Sequence, residues 1–147
     1  MVIKTVSVMQ PWATLIATGA KRIETRSWPA KYRGPLAIHA SKGFPRENQD
    51  LCEQEHFKSA LSRAGIKDPA ELPLGAVVAF CQLDAVWKVE KEHWIPQDQI
   101  PFGDFTPGRY AWDLKGVNRL PEPVPVNGRL GLWDWVVPED VLHYLMD

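Results

Sequence analysis

The sequence predicts a mostly β, α+β fold: short strands with two or three inserted helices, compatible with a small barrel. Three observations carry this. The apolar runs have strand length and stand between turn residues. Thirteen prolines and ten glycines in 147 residues favour short elements over a bundle of long helices. Only one stretch keeps a helical period long enough for an extended helix.

Residues 3–8 read as a strand, with Ile3, Val6 and Val8 apolar. Gln10-Pro11-Trp12 opens a short helix, because proline at a first helical position gives up an N–H that would have no partner anyway. Trp12, Leu15 and Ile16 share one face of that helix, and Gly19 is placed to end it. Residues 21–28 read as the next strand. Arg22, Glu24, Arg26 and Trp28 fall on one face, with Lys21, Ile23, Thr25 and Ser27 on the other. Arg33-Gly34-Pro35 turns the chain into a strand over 36–41, with Leu36, Ile38 and Ala40 inward and His39 and Ser41 opposite.

Residues 45–64 predict one long helix. Phe57, Ala60, Leu61 and Ala64 form its apolar stripe, and Gly65 ends it. Glu47, Asp50, Glu53 and Glu55 make its first half acidic, which suits the N-terminal end of a helix dipole. Residues 66–74 form a proline-punctuated loop, and 76–86 are apolar enough for a central strand. Residues 90–94 read as a helical turn. The stretch 95–108 carries three prolines and two glycines; a loop of that length points to function, so it is a candidate lid. Residues 109–114 and 130–135 read as strands, and 138–146 as a C-terminal helix.

The length suits one domain, 1–147, with room for a real core. Cys52 and Cys81 make neither a metal motif nor a disulfide framework. His56, His93 and His143 lack ligand spacing, and there is no P-loop or dinucleotide fingerprint, so no metal or cofactor is expected. No signal peptide is visible, and no apolar run approaches the ~20 residues of a membrane span, so a cytoplasmic protein without membrane contact is expected.

Charge is divided along the chain. Residues 1–46 hold eight Lys or Arg against one acid, Glu24, leaving +7; the other 101 residues hold nine against 17, leaving −8. A pI near 6.4 excludes a generally basic surface, so contact with a polyanion belongs in the first third. Lys21, Glu24 and Arg26 are the candidates there. Lysine and arginine donors suit a phosphate or a base edge, and Glu24 would accept from a ligand N–H or orient the basic pair. Lys21 joins the other two only if the Gly19-Ala20 turn leaves it outside the regular pleat. The competing reading is a solvated strand face with ordinary ion pairs.

Trp12 and Trp28 flank this segment, and a base could stack on either. The helical spacing of Trp12 reads as core, which makes Trp28 the better stacking candidate. Lys31, Tyr32 and Arg33 add a basic-aromatic-basic turn. His39 and Ser41, with Lys21 near, would support hydrolysis, a desolvated lysine being a base and serine needing one. No Gly-x-Ser-x-Gly elbow accompanies them, and structural roles are the competing reading.

These residues carry a family resemblance. Ser7-Val8-Met9-Gln10-Pro11-Trp12-Ala13, then Gly19-x-Lys21-Arg22-x-Glu24-x-Arg26-Ser27-Trp28, then Arg33-Gly34, resemble an ASCH domain, whose signature is Gly-x-Lys-x-x-Glu-x-Arg. The likeness is to the ASCH domains at the C-terminus of activating signal cointegrator coactivators, and it is strongest over residues 7–41. It implies a PUA-like pseudobarrel of five or six strands with two or three peripheral helices, the first helix lying beside a cleft lined by the signature. It implies binding of RNA or single-stranded nucleic acid, sometimes in transcription coactivation. Some members hydrolyse N4-acylated cytidines, and a nuclease activity has been assigned to others. In the small amidohydrolase members a threonine nucleophile stands three positions after the signature lysine, where this chain has Glu24.

The expected function is therefore nucleic-acid binding. Lys21, Arg26, Lys31 and Arg33 would meet phosphate, Glu24 a base or ribose donor, and Trp28 a base. His39 and Ser41 complete the expected site. The alternative is a small hydrolase acting on a modified nucleoside or RNA, with Lys21 as base and Glu24 as proton carrier or orienter. A third reading is a protein-interaction module, with the acidic 47–55 segment facing a protein partner.

Overall fold

A computed structural model describes residues 1–146, and the side chains of residues 1–145. Its strands are β1 (Val2–Val8), β2 (Ile23–Arg26), β3 (Gly34–Ala40), β4 (Ala76–Lys88), β5 (Tyr110–Pro125) and β6 (Leu132–Val136). The helices are α1 (Trp12–Ala17), α2 (Arg46–Leu51), α3 (Glu55–Arg63) and α4 (Leu142–Met146). Single 3₁₀ turns lie at Pro69–Glu71, Ile100–Phe102 and Glu139–Val141.

The strands form one sheet in the order β2-β5-β4-β3-β1-β6. β1 and β3 pair in parallel, and every other neighbouring pair is antiparallel. Bulges interrupt the β3–β4 and β4–β5 ladders, and such irregularities bend and twist strands. The result is the expected barrel-like, mostly β architecture, with the ladder left open between β2 and β6.

Both faces of the sheet are covered. On one, Ala13, Ile16 and Ala17 of α1 pack against Val8, Leu36, Ile38, Val78 and Trp112. On the other, Ala37, Val77, Phe80, Trp133 and Trp135 form a second core against α4. Leu15 reaches a third cluster with Phe57, Ala60 and Leu61 of α3. Fully burying a side chain such as Leu15 or Ile16 contributes about 1.5–3 kcal/mol.

α1 follows the sequence closely. Pro11 precedes its first residue, and Gly19 adopts φ +87°, the left-handed geometry that favours glycine after a helix. Gln10, fully buried, holds the helix start in place. Its Oε1 accepts from Thr14 N at 3.0 Å, while Nε2 donates to Thr14 Oγ1 at 2.8 Å and to Pro73 O at 2.9 Å.

Several boundaries differ from expectation. The predicted helix over 45–64 is two helices, α2 and α3, separated where Gln54 turns extended at ψ 144°. The stripe that defines the helix begins only at Phe57, and the first half reaches the same cluster through Leu51 and Cys52 at its C-terminal end. With α4 this gives four helices among the described residues, rather than two or three. β2 is half the predicted strand. β5 runs to Pro125, well past 114, despite Pro121 and Pro123. Beyond Asp113 no strand among the described residues pairs with the side of β5 away from β4, and proline is tolerated on such an edge. β3 is buried on both faces, so His39, expected opposite the core, is only 1% exposed. Residues 90–94 make a turn rather than helix.

Among the described residues no helix is long and apolar enough to cross a membrane. Cys52 and Cys81 are buried and unpaired, and burial pushes the Cys81 thiol up to about 12.

Candidate functional site

A cleft of about 490 Å³ opens between the end of β1, α1, β2 and the 101–104 stretch. Its chemistry-bearing walls are Lys21, Glu24, Arg26, Arg109, Asp104 and Trp12.

The signature residues meet here because β2 starts late. Lys21 precedes its first residue, Ile23, so it escapes the alternation that would send it to the opposite face from Glu24. Its Nζ donates to Phe102 O at 2.5 Å and lies 3.6 Å from Glu24 Oε1. The Lys21 side chain is 1% exposed. Burial pushes its ammonium pKa below the ordinary 10.5, and Glu24 opposes that shift. Glu24 Oε2 accepts from Arg26 Nη1 at 3.1 Å, and Oε1 from Thr25 N at 3.1 Å. Each carboxylate oxygen has two lone pairs, so the acid retains acceptor capacity. Arg26 Nη1 also donates to Ser7 O at 3.2 Å. Its guanidinium carbon lies 5.7 Å from the Trp28 ring centroid and 5.8 Å from that of Trp112, within cation–π range.

The far wall is stitched to β2. Gln99, 1% exposed, accepts through Oε1 from Arg22 N at 2.7 Å and Ile23 N at 3.3 Å. Its Nε2 donates to Ala20 O at 3.0 Å. Asp104 N donates to Thr25 Oγ1 at 3.1 Å, and Arg109 Nη2 to Thr25 O at 3.1 Å. Arg109 Nε faces Asp104 Oδ2 at 3.4 Å. Gly103 sits where a Cβ would come within 2.9 Å of the Phe105 ring, so any larger residue there would have to displace that ring.

The structure thus brings Lys21, Glu24 and Arg26 together and separates the other expected site residues from them. Trp28 does not line the cleft. It is half-buried, edge-on to Trp112 with centroids 4.9 Å apart, and it backs Arg26. Trp12, expected in the core, is the tryptophan on the cleft wall, edge-on to Phe57 at 6.2 Å. Its ring is partly exposed there. Lys31 and Arg33 are exposed and outside the lining, with Arg33 Nη1 donating to Ala30 O at 2.7 Å and Tyr32 O at 2.8 Å.

His39 and Ser41 line a separate pocket with Ser7, Lys42, Gly75 and residues 126–130. The partner of His39 is Ser7, Oγ to Nδ1 at 2.9 Å, rather than Ser41 or Lys21. His39 Nε2 contacts Val126 O at 2.7 Å. A carbonyl can only accept, so Nε2 carries the proton and Nδ1 accepts from the Ser7 hydroxyl. Burial lowers the His39 pKa, and the Val126 contact opposes that shift. Sequence reasoning also missed Asp104 and Arg109 as parts of the cleft and Gln99 as the buried tie to β2, since each lies some 75 or more residues from the signature it supports. Among the described residues no group of His, Cys, Asp or Glu is arranged to hold a metal ion.

The sheet order and the signature-lined cleft beside the first helix define a PUA-like, ASCH-type unit. Residues 6–106 match the ASCH domain, and the chain belongs to that family. Activating signal cointegrator 1 of Mus musculus is 26% identical over 128 residues, covering 86% of this chain and 21% of that protein. The Homo sapiens protein of the same name is 35% identical over 77 residues, covering 52% of this chain and 13% of that one. The chain therefore spans about a fifth or less of the length of these relatives. Among solved structures, the ASCH protein of Zymomonas mobilis superposes with a TM-score of 0.52 at 14% identity, covering 97% of this chain and 92% of that one. A tyrosine-to-phenylalanine mutant of it gives 0.51 at 15% identity, covering 97% and 95%. At such identities the likeness is one of fold.

Proposed function

We propose that residues 1–147 act as one ASCH domain that binds RNA or another single-stranded nucleic acid by taking one base or nucleoside into the cleft. The observation that carries this is the convergence of Lys21, Glu24 and Arg26 on a cleft of about 490 Å³ with an aromatic wall. That volume suits a ligand of nucleoside size, given pockets of roughly 300–1,000 Å³ for small molecules. Glu24 accepts from a base or ribose donor. Arg26 and Arg109 supply donors to acceptor edges or to phosphate, and Trp12 offers an apolar face. Lys21 holds Glu24 and Phe102 in place as well as facing the cleft. Lys31 and Arg33 meet phosphates of a longer strand outside it, and Trp28 steadies Arg26.

Fluorescence anisotropy with a labelled short single-stranded RNA tests this. Arg26→Ala is expected to weaken binding by about 1.5–3 kcal/mol, the range for hydrogen bonds to charged groups. Equal affinity of wild type and variant across a salt titration removes the cleft from the binding site.

One observation favours a second reading, hydrolysis of a modified nucleoside or RNA: Lys21 is buried at the cleft 3.6 Å from Glu24, and burial moves its pKa downward, the direction an activated base needs. Incubation with acylated cytidines and short RNAs, followed by product detection, decides it. Measurable binding without turnover removes the enzyme.

A further inference from the structure

The basic N-terminal third does not keep its charge where the signature lies. Lys4 pairs with Asp134, Arg22 with Asp98, Arg46 with Asp50, and Lys21 and Arg26 share Glu24. The cleft itself sets Lys21, Arg26 and Arg109 against Glu24 and Asp104, so it is only one charge positive. The pocket beside it is different. It measures about 470 Å³ and is lined by Lys42 and Arg129 with no carboxylate. Among the described residues neither of these cations forms an ion pair.

The two cavities share one residue, Ser7. Its carbonyl accepts from Arg26 on the cleft side, and its hydroxyl donates to His39 on the pocket side. The pocket is also built rather than incidental. His39, buried at its floor, ties β3 to Val126 and so holds the 126–130 stretch that carries Arg129. A Cβ on Gly128 would come within 2.6 Å of both Ser7 Oγ and His39 Cε1, so that backbone lies directly on the pair.

We infer that this second pocket is the phosphate subsite of the strand whose base occupies the cleft. Lys42 and Arg129 take the phosphate next to the captured nucleoside, and Ser7 marks the crossing point between the two. The inference rests on the proposed nucleic-acid reading and divides its labour: the nearly neutral cleft selects a base, and the unpaired cations supply salt-dependent attraction.

The test is a salt titration of oligouridylate binding to wild type and to the double variant Lys42→Ala/Arg129→Ala. Both residues are exposed, so the variant keeps the fold. Loss of that one phosphate site should make the slope of log K against log salt shallower by about 0.7, at roughly 0.7 per phosphate on single strands. Affinity for uridine alone should not change. Uridine monophosphate and the dinucleoside monophosphate UpU separate a terminal from an internal phosphate: whichever loses affinity in the variant names the source. An unchanged slope, or equal losses for uridine and oligouridylate, overturns the subsite and leaves the cleft reading standing. A wild type that binds none of these probes overturns both.

Discussion

Glu24 sits between two cations that need it differently. Arg26 also has the Ser7 carbonyl and two indole faces, whereas Lys21 is buried with Phe102 O and Glu24 alone. Glu24→Gln should therefore destabilise the fold by about 3 kcal/mol, the low end for removing one partner of a buried pair. Urea denaturation measures it; a change near zero would mean that Lys21 does not depend on the carboxylate. The pH dependence has a defined sign. Lys21 has a lower pKa folded than its ordinary 10.5, so between the two values the unfolded chain binds more protons and stability rises with pH. Glu24 opposes the shift, so Glu24→Gln should extend that window to lower pH. His39 behaves in the same sense near its ordinary 6.5. As pH falls through 6.5 the unfolded imidazole takes up a proton that the buried one resists, and stability is lost. His39→Gln should flatten that acid limb; an unaltered limb would place the titration elsewhere.

The 95–108 stretch behaves as part of β2 rather than as a bystander. Gln99 satisfies two backbone donors at the start of β2 and one carbonyl before it. Gln99→Ala leaves buried donors unpaired and should cost about 1–3 kcal/mol. Hydrogen exchange should then quicken at Arg22 and Ile23 and across Ile100–Phe102; protection unchanged at both would detach the wall from the strand. Elements such as these mark the limit of legibility. α1, β1 and β4 follow their own apolar periods and turn residues, and the structure keeps them within a residue or two. The 45–64 helix does not, because its first half has no stripe of its own. β5 outruns its prolines because no strand among the described residues pairs with its far edge beyond Asp113, which depends on sheet order. The Lys21-Glu24-Arg26 group is legible as a motif, and its convergence turns on a strand beginning at Ile23 rather than Lys21. The Ser7–His39 pair is invisible in sequence because it depends on the parallel β1–β3 register, which sets Ser7 beside His39.

At the scale of the molecule, the charge split of +7 and −8 is largely resolved across the fold. Acids from the C-terminal two thirds neutralise Lys4, Arg22 and Arg46, and Glu24 neutralises part of its own cleft. What survives is Lys31 and Arg33, exposed outside both cavities and in no ion pair among the described residues, and a local arrangement: a nearly neutral, nucleoside-sized cleft beside a pocket with two unpaired cations. Binding should accordingly be moderate in salt dependence and confined to one face. The acidic segment of α2 and the turn after it lies largely outside this arrangement, with Leu51 and Gln54 alone reaching the cleft.

Amide chemical-shift mapping with a short single-stranded RNA tests the central claim most directly. The account predicts saturable shifts at Glu24, Thr25, Arg26, Gly103 and the Trp12 indole. Shifts confined to Lys31, Arg33 and the acidic helix α2, with the cleft unmoved at saturation, would contradict it.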